Sequence, residues 1–173
     1  MIASIIESVD GFLSEEDLNL LDILCNNFDI DNSINTTPRK GNFYYRMFVD
    51  MENELIDYQN KIKAHIYEKY KVNVEIKNIW INKVTTETNK EDRFHNDECD
   101  FTVVSYINDN FEGGEFQFQR NERPPTEKIK PKRNLSLITN NKLPHKVSPV
   151  TLGERYSLVT FCNIPTKSKK TML

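Results

Sequence analysis

The sequence predicts an α+β fold whose all-β core, of the sandwich or jelly-roll kind, is supported by N-terminal helices. Three observations predict this fold class. Two segments with the apolar spacing of helices come first, period-two alternation takes over from Val72, and the later strands are short and evenly spaced. With 173 residues, 38% of them hydrophobic, the chain suits one domain with a sizeable core. We therefore predict a single domain over 1–173, with helical support over about 1–71 and the β core over about 72–165.

Two amphipathic helices are predicted in the N-terminal part of the chain. The first covers 15–28, since Ser14 is a suitable N-cap and the acidic residues after it complement the helix dipole. Its apolar residues recur at helical spacing: Leu18, Leu21, Leu24, Cys25 and Phe28. The second covers about 51–70, with the same spacing at Met51, Leu55, Tyr58, Ile62, Ile66 and Tyr70. The apolar face of each helix needs a larger partner, and a sheet is the natural one.

Period-two alternation and turn residues place the strands. A short strand over 2–9 precedes the first helix, and the polar segment 29–42 is predicted to be a loop. A strand over 74–84 leads into the polar segment 85–93, which is predicted to be a mobile loop that closes over a substrate. Further strands are predicted at 101–107, 115–119, 128–130, 135–139, 147–151 and 156–161.

Composition and charge limit the possible partners and compartment. The net charge of −3 gives no general attraction to nucleic acid or to an anionic membrane. No apolar run approaches the ~20 residues that span a bilayer, and Glu7 and Asp10 interrupt an N-terminus without the basic region of a signal peptide. The cysteines are Cys25, Cys99 and Cys162, an odd number without a CxxC pair. This pattern favours a reducing compartment, so we expect a cytoplasmic protein.

The segment His95-Asn96-Asp97 carries the strongest chemical signal. In an extended strand, residues two apart point to the same face, so His95 and Asp97 would project side by side as ligands of one metal ion. His145 supplies a third ligand if its segment folds back beside the first. Two histidines and one carboxylate on one face of a metal form the facial triad of non-haem Fe(II) oxygenases. Glu98 and Asp100 are alternative acidic ligands, but Asp97 has the favourable spacing from His95.

A cation and a thiol accompany these residues. Arg155 lies ten residues after His145, where a bidentate pair would anchor the far carboxylate of a dicarboxylic co-substrate. A buried carboxylate without a partner would be very costly, so such a site requires a cation deep in the barrel. Cys99 continues the two-residue series after His95 and Asp97. We expect it to be a small buried side chain, with an oxidisable thiol beside the metal as the alternative.

The motifs resemble those of the 2-oxoglutarate- and Fe(II)-dependent dioxygenases of the prolyl 4-hydroxylase type. That family shows His-x-Asp, a strand ending in Tyr-Leu-Asn, a Gly-Gly-Glu turn, and a late His followed about ten residues on by Arg or Lys. The matching residues here are His95 to Asp97, Thr102 to Asn108, Phe111 to Glu115, Pro144 to Val147 and Arg155 to Leu158. The resemblance covers roughly 76–162, and the segment 10–14 before the first helix also looks like the opening of the family.

The resemblance implies a double-stranded β-helix with iron at one open end. It carries His95, Asp97 and His145 over as the catalytic iron ligands, and Arg155 as the ion-pair partner of the 2-oxoglutarate C5 carboxylate. The implied cofactors are Fe(II), 2-oxoglutarate and O2, with ascorbate as a possible reductant. The metal and the co-substrate supply the difficult chemistry, while the protein positions the substrate.

Three further residues are implied around the co-substrate. Tyr106 resembles the tyrosine whose hydroxyl supports the C5 carboxylate, and Ser157 faces the same way as Arg155. Asn82 is a candidate for the C1-carboxylate end of the pocket. In the strand before His-x-Asp many members have a tyrosine, where this chain has Trp80 and Asn82. That departure leaves the identity of the substrate open.

The implied reaction is hydroxylation of a C–H bond, with decarboxylation of 2-oxoglutarate to succinate. A prolyl residue in a protein or peptide is the leading substrate, and free proline or another small molecule is the other. Two alternatives remain: an oxidative demethylase of nucleic acid on the same scaffold, or a non-catalytic jelly-roll binding protein. The demethylase is motivated by a basic stretch: Arg120, Arg123, Lys128, Lys130, Lys132 and Arg133. The acidic total charge argues against nucleic acid, no membrane partner is expected, and the oligomeric state is left open.

Overall fold

The computed structural model describes residues 3–29, 34–36, 44–88, 93–120 and 124–166. The two helices in this part of the chain are α1, Glu15–Asn26, and α2, Ile56–Tyr70. The strands are β1 Ile6–Asp10, β2 Ile34–Thr36, β3 Tyr44–Phe48, β4 Glu75–Thr85, β5 Phe101–Tyr106, β6 Glu112–Gly113, β7 Phe116–Phe118, β8 Glu127–Ile129, β9 Leu135–Asn140, β10 His145–Val147, β11 Val150–Leu152 and β12 Glu154–Asn163. Neither helix in these ranges has the length and apolar composition that crossing a bilayer requires.

The strands form one large sheet and two small ones. The large sheet has seven strands in the order β1-β9-β5-β12-β4-β3-β2, and all its pairings are antiparallel. A three-stranded sheet has the order β10-β7-β8, and β11 pairs with β6. Strand β12 lies in the middle of the large sheet between β4 and β5, so residues from three distant segments of the chain meet there.

The two helices pack on one face of the large sheet. Leu21 of α1 and Ile62 and Ile66 of α2 are buried in the same cluster as Ile79 of β4 and Leu158 of β12. Each of these side chains is at most 1% exposed. The apolar faces of the helices therefore find the sheet partner that the sequence requires, and the helices stiffen the large sheet from outside.

The opposite face of the large sheet is covered by the three-stranded sheet. Phe116 and Phe118 of β7 lie in a second buried cluster with Tyr106 of β5 and Leu137 of β9. Two facing sheets with helices on the outer face make the α+β jelly roll that the sequence predicts, so the fold class is confirmed.

The first helix begins as predicted and the second begins later. Ser14 and Asp17 form a capping box, in which the Ser14 hydroxyl accepts from the Asp17 N–H at 3.1 Å. The predicted start of α2 at 51 is wrong, because Asp50 holds the residues before it in a separate turn. Its carboxylate accepts from the Glu52 N–H at 3.0 Å and from the Asn53 amide at 2.7 Å. Helix α2 begins only at Ile56.

The strand predictions miss two strands in the N-terminal part of the chain. The loop predicted over 29–42 contains β2, and β3 follows it. Both are short, and they extend the large sheet by pairing with each other and with β4. Residues 30–33 and 37–42 of the predicted loop lie outside the described residues, as do 89–92 of the predicted lid.

The single strand predicted over 147–151 is also wrong. It is divided between β10 and β11, which belong to different sheets. The Gly114 N–H donates to the Pro149 carbonyl at 2.9 Å, and the Ser148 N–H donates to the Glu115 carbonyl at 2.9 Å. Proline has no N–H for a ladder, so the chain changes sheets where Ser148 and Pro149 lie.

Asn134 ties the segment before α1 to the large sheet, and its loss is expected to be costly. Its amide bonds both backbone groups of Leu13, at 2.8 Å and 3.0 Å, and its φ is +60°. Asn134→Ala is expected to lower the free energy of unfolding by about 3 kcal/mol, from two lost hydrogen bonds and a left-handed alanine. Asn134→Gly removes the bonds without that strain, so it should cost about 1 kcal/mol less. Urea unfolding measures both, and equal stability of Asn134→Ala and the wild type would contradict the assignment.

Candidate metal and co-substrate site

His95 and His145 are brought together by their own backbones. The His95 N–H donates to the His145 carbonyl at 3.0 Å, and the His145 N–H donates to the His95 carbonyl at 2.9 Å. The centroids of the two rings lie 4.6 Å apart. The two-residue spacing assumed a strand around His95. The segment instead makes this isolated bridge to His145. The paired backbones place the two imidazoles side by side.

Asp97 completes a group of three possible metal ligands. Its Oδ1 lies 3.9 Å from His95 Nε2, and its Oδ2 lies 3.7 Å from His145 Nε2. One donor atom from each residue lies within 4.8 Å of the others. These separations exceed those of direct hydrogen bonds and leave room for one ion among the three donors. Asp97 and His145 are largely buried, while the His95 side chain is 38% exposed, so the site opens on that side.

Backbone carbonyls orient both imidazoles towards Asp97. His95 Nδ1 lies 2.9 Å from the Arg93 carbonyl, and His145 Nδ1 lies 3.0 Å from the Leu143 carbonyl. A carbonyl only accepts, so each Nδ1 carries the proton, and Nε2 is the ring nitrogen that can bind a metal. Two neutral imidazoles and one carboxylate are a donor set that suits Fe(II).

The other candidate acids and the third histidine are engaged elsewhere. Asp100 accepts from the Ile164 N–H at 2.8 Å, and Glu98 is exposed. His65 lies on α2, 3.1 Å from the carboxylate of Glu7 on β1. The structure therefore groups Asp97, and neither alternative acid, with the two histidines.

Thr102 and Cys99 support the Asp97 carboxylate from inside the protein. The Thr102 hydroxyl donates to Asp97 Oδ2 at 2.6 Å, and Cys99 Sγ lies 3.1 Å from that hydroxyl. Burial raises the pKa of Cys99 to about 11, so its thiol is neutral at pH 7. Cys99 is 1% exposed, in agreement with the expected small buried side chain.

Arg155 is buried beside the Gly114 turn. Its side chain is on the strand that crosses the middle of the large sheet, the residue is 5% exposed, and its Nη1 donates to the Gly114 carbonyl at 3.2 Å. A Cβ on Gly114 would lie 3.2 Å from Arg155 Cδ, and the φ of Gly114 is +63°. The turn therefore requires glycine both for its backbone conformation and for the space that the arginine occupies.

Tyr106 presents a buried hydroxyl near Arg155. Within the described part of the chain, this hydroxyl has no hydrogen-bond partner. Burial raises the pKa of Tyr106 to about 12, and the positive charge of Arg155 acts in the opposite direction. A buried donor that lacks an acceptor is costly. A carboxylate bound between Tyr106 and Arg155 would satisfy both, which fits the C5 end of 2-oxoglutarate.

Ser157 and Asn82 lie in the same row of the large sheet as Tyr106. Leu158 packs with the helices, so its neighbour Ser157 and also Arg155 face the opposite sheet. Ser157 is paired with Tyr106 on β5 and with Asn82 on β4. The structure thus brings all the predicted co-substrate residues to one inner face.

An aromatic wall that the sequence reasoning missed lies on this inner face. We use that name for Trp80, Phe161 and the guanidinium of Arg46. Phe161 contacts Trp80 edge-on at 4.7 Å, and the Arg46 guanidinium lies 4.1 Å above the Trp80 ring. Trp80 Nε1 also donates to Asn82 Oδ1 at 2.7 Å. Phe161 is paired with Thr102, the residue that supports Asp97, so the wall begins beside the candidate metal ligands.

The basic stretch that motivated nucleic-acid binding is largely neutralised. Of its five described members, four have acidic partners, and Arg123 lies outside the described residues. The pairs are Arg120 with Glu127, Lys128 with Glu115, Lys132 with Asp10, and Arg133 with Asp22. The stretch therefore presents a mixed surface with little net positive charge for a phosphate backbone.

Residues 80–163 match the 2OG-Fe(II) oxygenase superfamily. This region of the chain, slightly less than half of its length, is similar to members of that superfamily. It contains every residue that the sequence motifs singled out for the metal and the co-substrate, so the predicted family resemblance is confirmed. The superfamily model does not cover the helices or the first three strands.

A curated relative and two solved structures are similar to this chain. Prolyl 3-hydroxylase 2 of Rattus norvegicus is 42% identical over 59 residues, which are 32% of this chain and 8% of the relative. The chain thus spans only a small part of the length of that relative. The viral collagen prolyl hydroxylase of Paramecium Bursaria Chlorella virus-1, solved as a 2OG complex, has a TM-score of 0.68 and 18% identity, over 93% of this chain and 96% of that one. A prolyl-4-hydroxylase of Pseudomonas putida has a TM-score of 0.72 and 15% identity, over 93% of each chain. At these identities, the structures show a shared fold.

Proposed function

We propose that this chain is a single-domain, Fe(II)- and 2-oxoglutarate-dependent dioxygenase that hydroxylates a prolyl residue of a protein or peptide. The observation that carries the proposal is the convergence of two imidazoles and one carboxylate within 4.8 Å, in a fold that also buries an arginine on the large sheet. The match of residues 80–163 to the 2OG-Fe(II) oxygenase superfamily supports it.

His95, Asp97 and His145 would hold the iron in this function. Three protein ligands leave open positions for a chelating keto acid and for dioxygen. When bound, Fe(II) and 2-oxoglutarate supply the activation of O2, with decarboxylation of the keto acid to succinate. The carbonyls behind the two histidines keep the tautomer that this ligation needs.

Arg155 and Tyr106 would bind the C5 carboxylate of the co-substrate. The buried guanidinium supplies the opposite charge, and the phenol hydroxyl supplies a neutral donor. Ser157 lies between them in the sheet register and adds a second hydroxyl. Asn82 is a weaker candidate for the C1 end, because its carbonyl oxygen is already engaged by Trp80.

The aromatic wall supports a prolyl substrate. A pyrrolidine ring is apolar and flat enough to pack against Phe161 beside the metal ligands. The guanidinium of Arg46 carries several donors, which suit the carbonyl groups of a peptide backbone. The names of the relatives, which are prolyl hydroxylases, point in the same direction.

The compartment and the reductant complete the proposal. Cys25, Cys99 and Cys162 are free thiols, which suits a cytoplasmic enzyme. Ascorbate is proposed as the reductant that returns the iron to Fe(II). The demethylase alternative has no supporting observation, because acidic partners neutralise most of the basic stretch.

Incubation with proline-containing peptides tests the substrate. The metal-loaded enzyme with 2-oxoglutarate and O2 is expected to form succinate in step with peptide that has gained one oxygen atom at a proline. Phe161→Ala is expected to raise the KM for peptide about tenfold, because it removes the apolar contact beside the metal, while slow succinate formation without peptide persists. Exposed Tyr67 on α2 offers the control Tyr67→Ala, which should change the KM little. If hydroxylated product comes from a small molecule and from no peptide, the prolyl assignment is wrong and the dioxygenase class stands.

A further inference from the structure

The Asp97 carboxylate accepts a hydrogen bond from a neighbouring side chain. Its Oδ2 accepts from the Thr102 hydroxyl at 2.6 Å, whereas His95 Nδ1 and His145 Nδ1 each donate to a backbone carbonyl. Within the described residues, Asp97 Oδ1 has no such donor. The two oxygens of the carboxylate therefore have different environments before any metal binds.

The direction of the bond between Thr102 and Asp97 is set by chemistry. The Thr102 hydroxyl has one proton, and a carboxylate can only accept, so that proton is committed to Asp97. The Cys99 thiol, whose Sγ lies 3.1 Å from Thr102 Oγ1, donates its own proton to the Phe101 carbonyl at 3.2 Å. The thiol therefore packs against the hydroxyl without drawing its proton away from Asp97.

We propose that Thr102 is a positioning residue that keeps Asp97 a one-oxygen ligand. A carboxylate that ligated through both oxygens would occupy a position that the keto acid or dioxygen needs. Donation from Thr102 engages one oxygen and leaves the other for the metal. The inference rests on the proposed metal site and adds the residue that determines how many open positions it has.

Metal binding by four variants tests this inference without any need for turnover. Thr102→Val keeps the shape and removes the hydroxyl, and Thr102→Ser restores it. Thr139→Val is the matched control, because Thr139 is the buried cross-strand partner of Thr102 on β9. Asp97→Ala reports whether the metal site itself is correct. Co(II) binding is measured by the visible absorption of the ion, followed by anaerobic titration with 2-oxoglutarate.

Thr102→Val is expected to bind Co(II) about 10- to 100-fold more weakly, with a changed absorption spectrum and a further loss of 2-oxoglutarate affinity. Thr102→Ser and Thr139→Val should resemble the wild type. If Thr102→Val has the affinity and spectrum of the wild type while Asp97→Ala has lost binding, the inference fails and the metal site stands. If Asp97→Ala binds as the wild type does, the metal site fails too. If Thr102→Val does not fold, Thr102→Ala decides, because it also removes the hydroxyl: weakened Co(II) binding in folded Thr102→Ala supports the proposal, and wild-type binding overturns it.

Discussion

Asp97→Ala is expected to abolish turnover and to weaken Fe(II) binding by more than about a hundredfold. Mutation of a residue that only hydrogen-bonds to a metal ligand already lowers metal affinity about 10- to 100-fold, and loss of the ligand itself should cost more. The substitution removes the one negative charge among the three donors, so two neutral imidazoles would remain to hold a dication. The fold should survive, because the two histidines are joined through their backbones and do not depend on this carboxylate. The expected cost to folding is about 1 kcal/mol, from the Thr102 hydroxyl that loses its acceptor.

Calorimetric titration with Fe(II) under anaerobic conditions measures this effect, and circular dichroism checks the fold. Glu98→Ala is the matched control, since Glu98 is an exposed acid one residue further on. It should bind iron and turn over as the wild type does. Wild-type iron affinity in Asp97→Ala, or its loss in Glu98→Ala, would refute the ligand assignment.

The donors of the candidate metal site could be predicted because their signal is local. His95 and Asp97 are two residues apart, and no fold needs to be known to see that they can share an ion. The assignment of His145 as a third ligand requires knowing that its segment folds back beside His95. The order and spacing of the motifs of a known family provided that information. The orientation of the two imidazoles depends on hydrogen bonds to the backbone of Arg93 and Leu143, which no pattern of side chains shows.

Strands β2 and β3 were beyond sequence reasoning for a different reason. Strand β3 forms by pairing with β4, and β2 forms by pairing with β3. Their stability therefore depends on neighbouring strands, and period-two alternation in their own residues does not reveal them. The aromatic wall depends on the same pairing, since Arg46 of β3 reaches Trp80 of β4. Of the three residues of the aromatic wall, Phe161 alone could have been placed from the sequence. It lies an even number of residues after Arg155 on one strand and therefore points to the same face.

The support of Asp97 by Thr102 had no sequence signal. The two residues are five apart, a spacing that neither a helix nor a strand places on one face. The bend over 98–100 turns the chain between them, and only then does the hydroxyl reach the carboxylate. Function in this site therefore rests partly on irregular backbone, where periodicity carries no information.

Arg155→Ala is expected to raise the 2-oxoglutarate requirement by at least about a hundredfold, because leaving a buried charge without its partner costs about 3–5 kcal/mol. The C5 carboxylate would then meet only the neutral hydroxyls of Tyr106 and Ser157. Anaerobic titration of the Fe(II)-loaded enzyme, followed by the visible charge-transfer band of the chelated keto acid, measures the affinity directly. Arg133→Ala is a control for the loss of an arginine, since Arg133 is paired with Asp22 on α1. It should lower stability and leave the 2-oxoglutarate affinity unchanged.

A keto acid without the distal carboxylate, 2-oxopentanoate, separates the role of Arg155 from a general disturbance of the pocket. The wild type should prefer 2-oxoglutarate by a large factor, because an alkyl group in place of the distal carboxylate cannot form an ion pair with the buried guanidinium. In Arg155→Ala that preference should fall by about the same hundredfold, since the interaction that discriminates the two acids is gone. If the variant binds both acids more weakly and keeps the preference, Arg155 acts on the shape of the pocket through the Gly114 turn and does not bind the carboxylate.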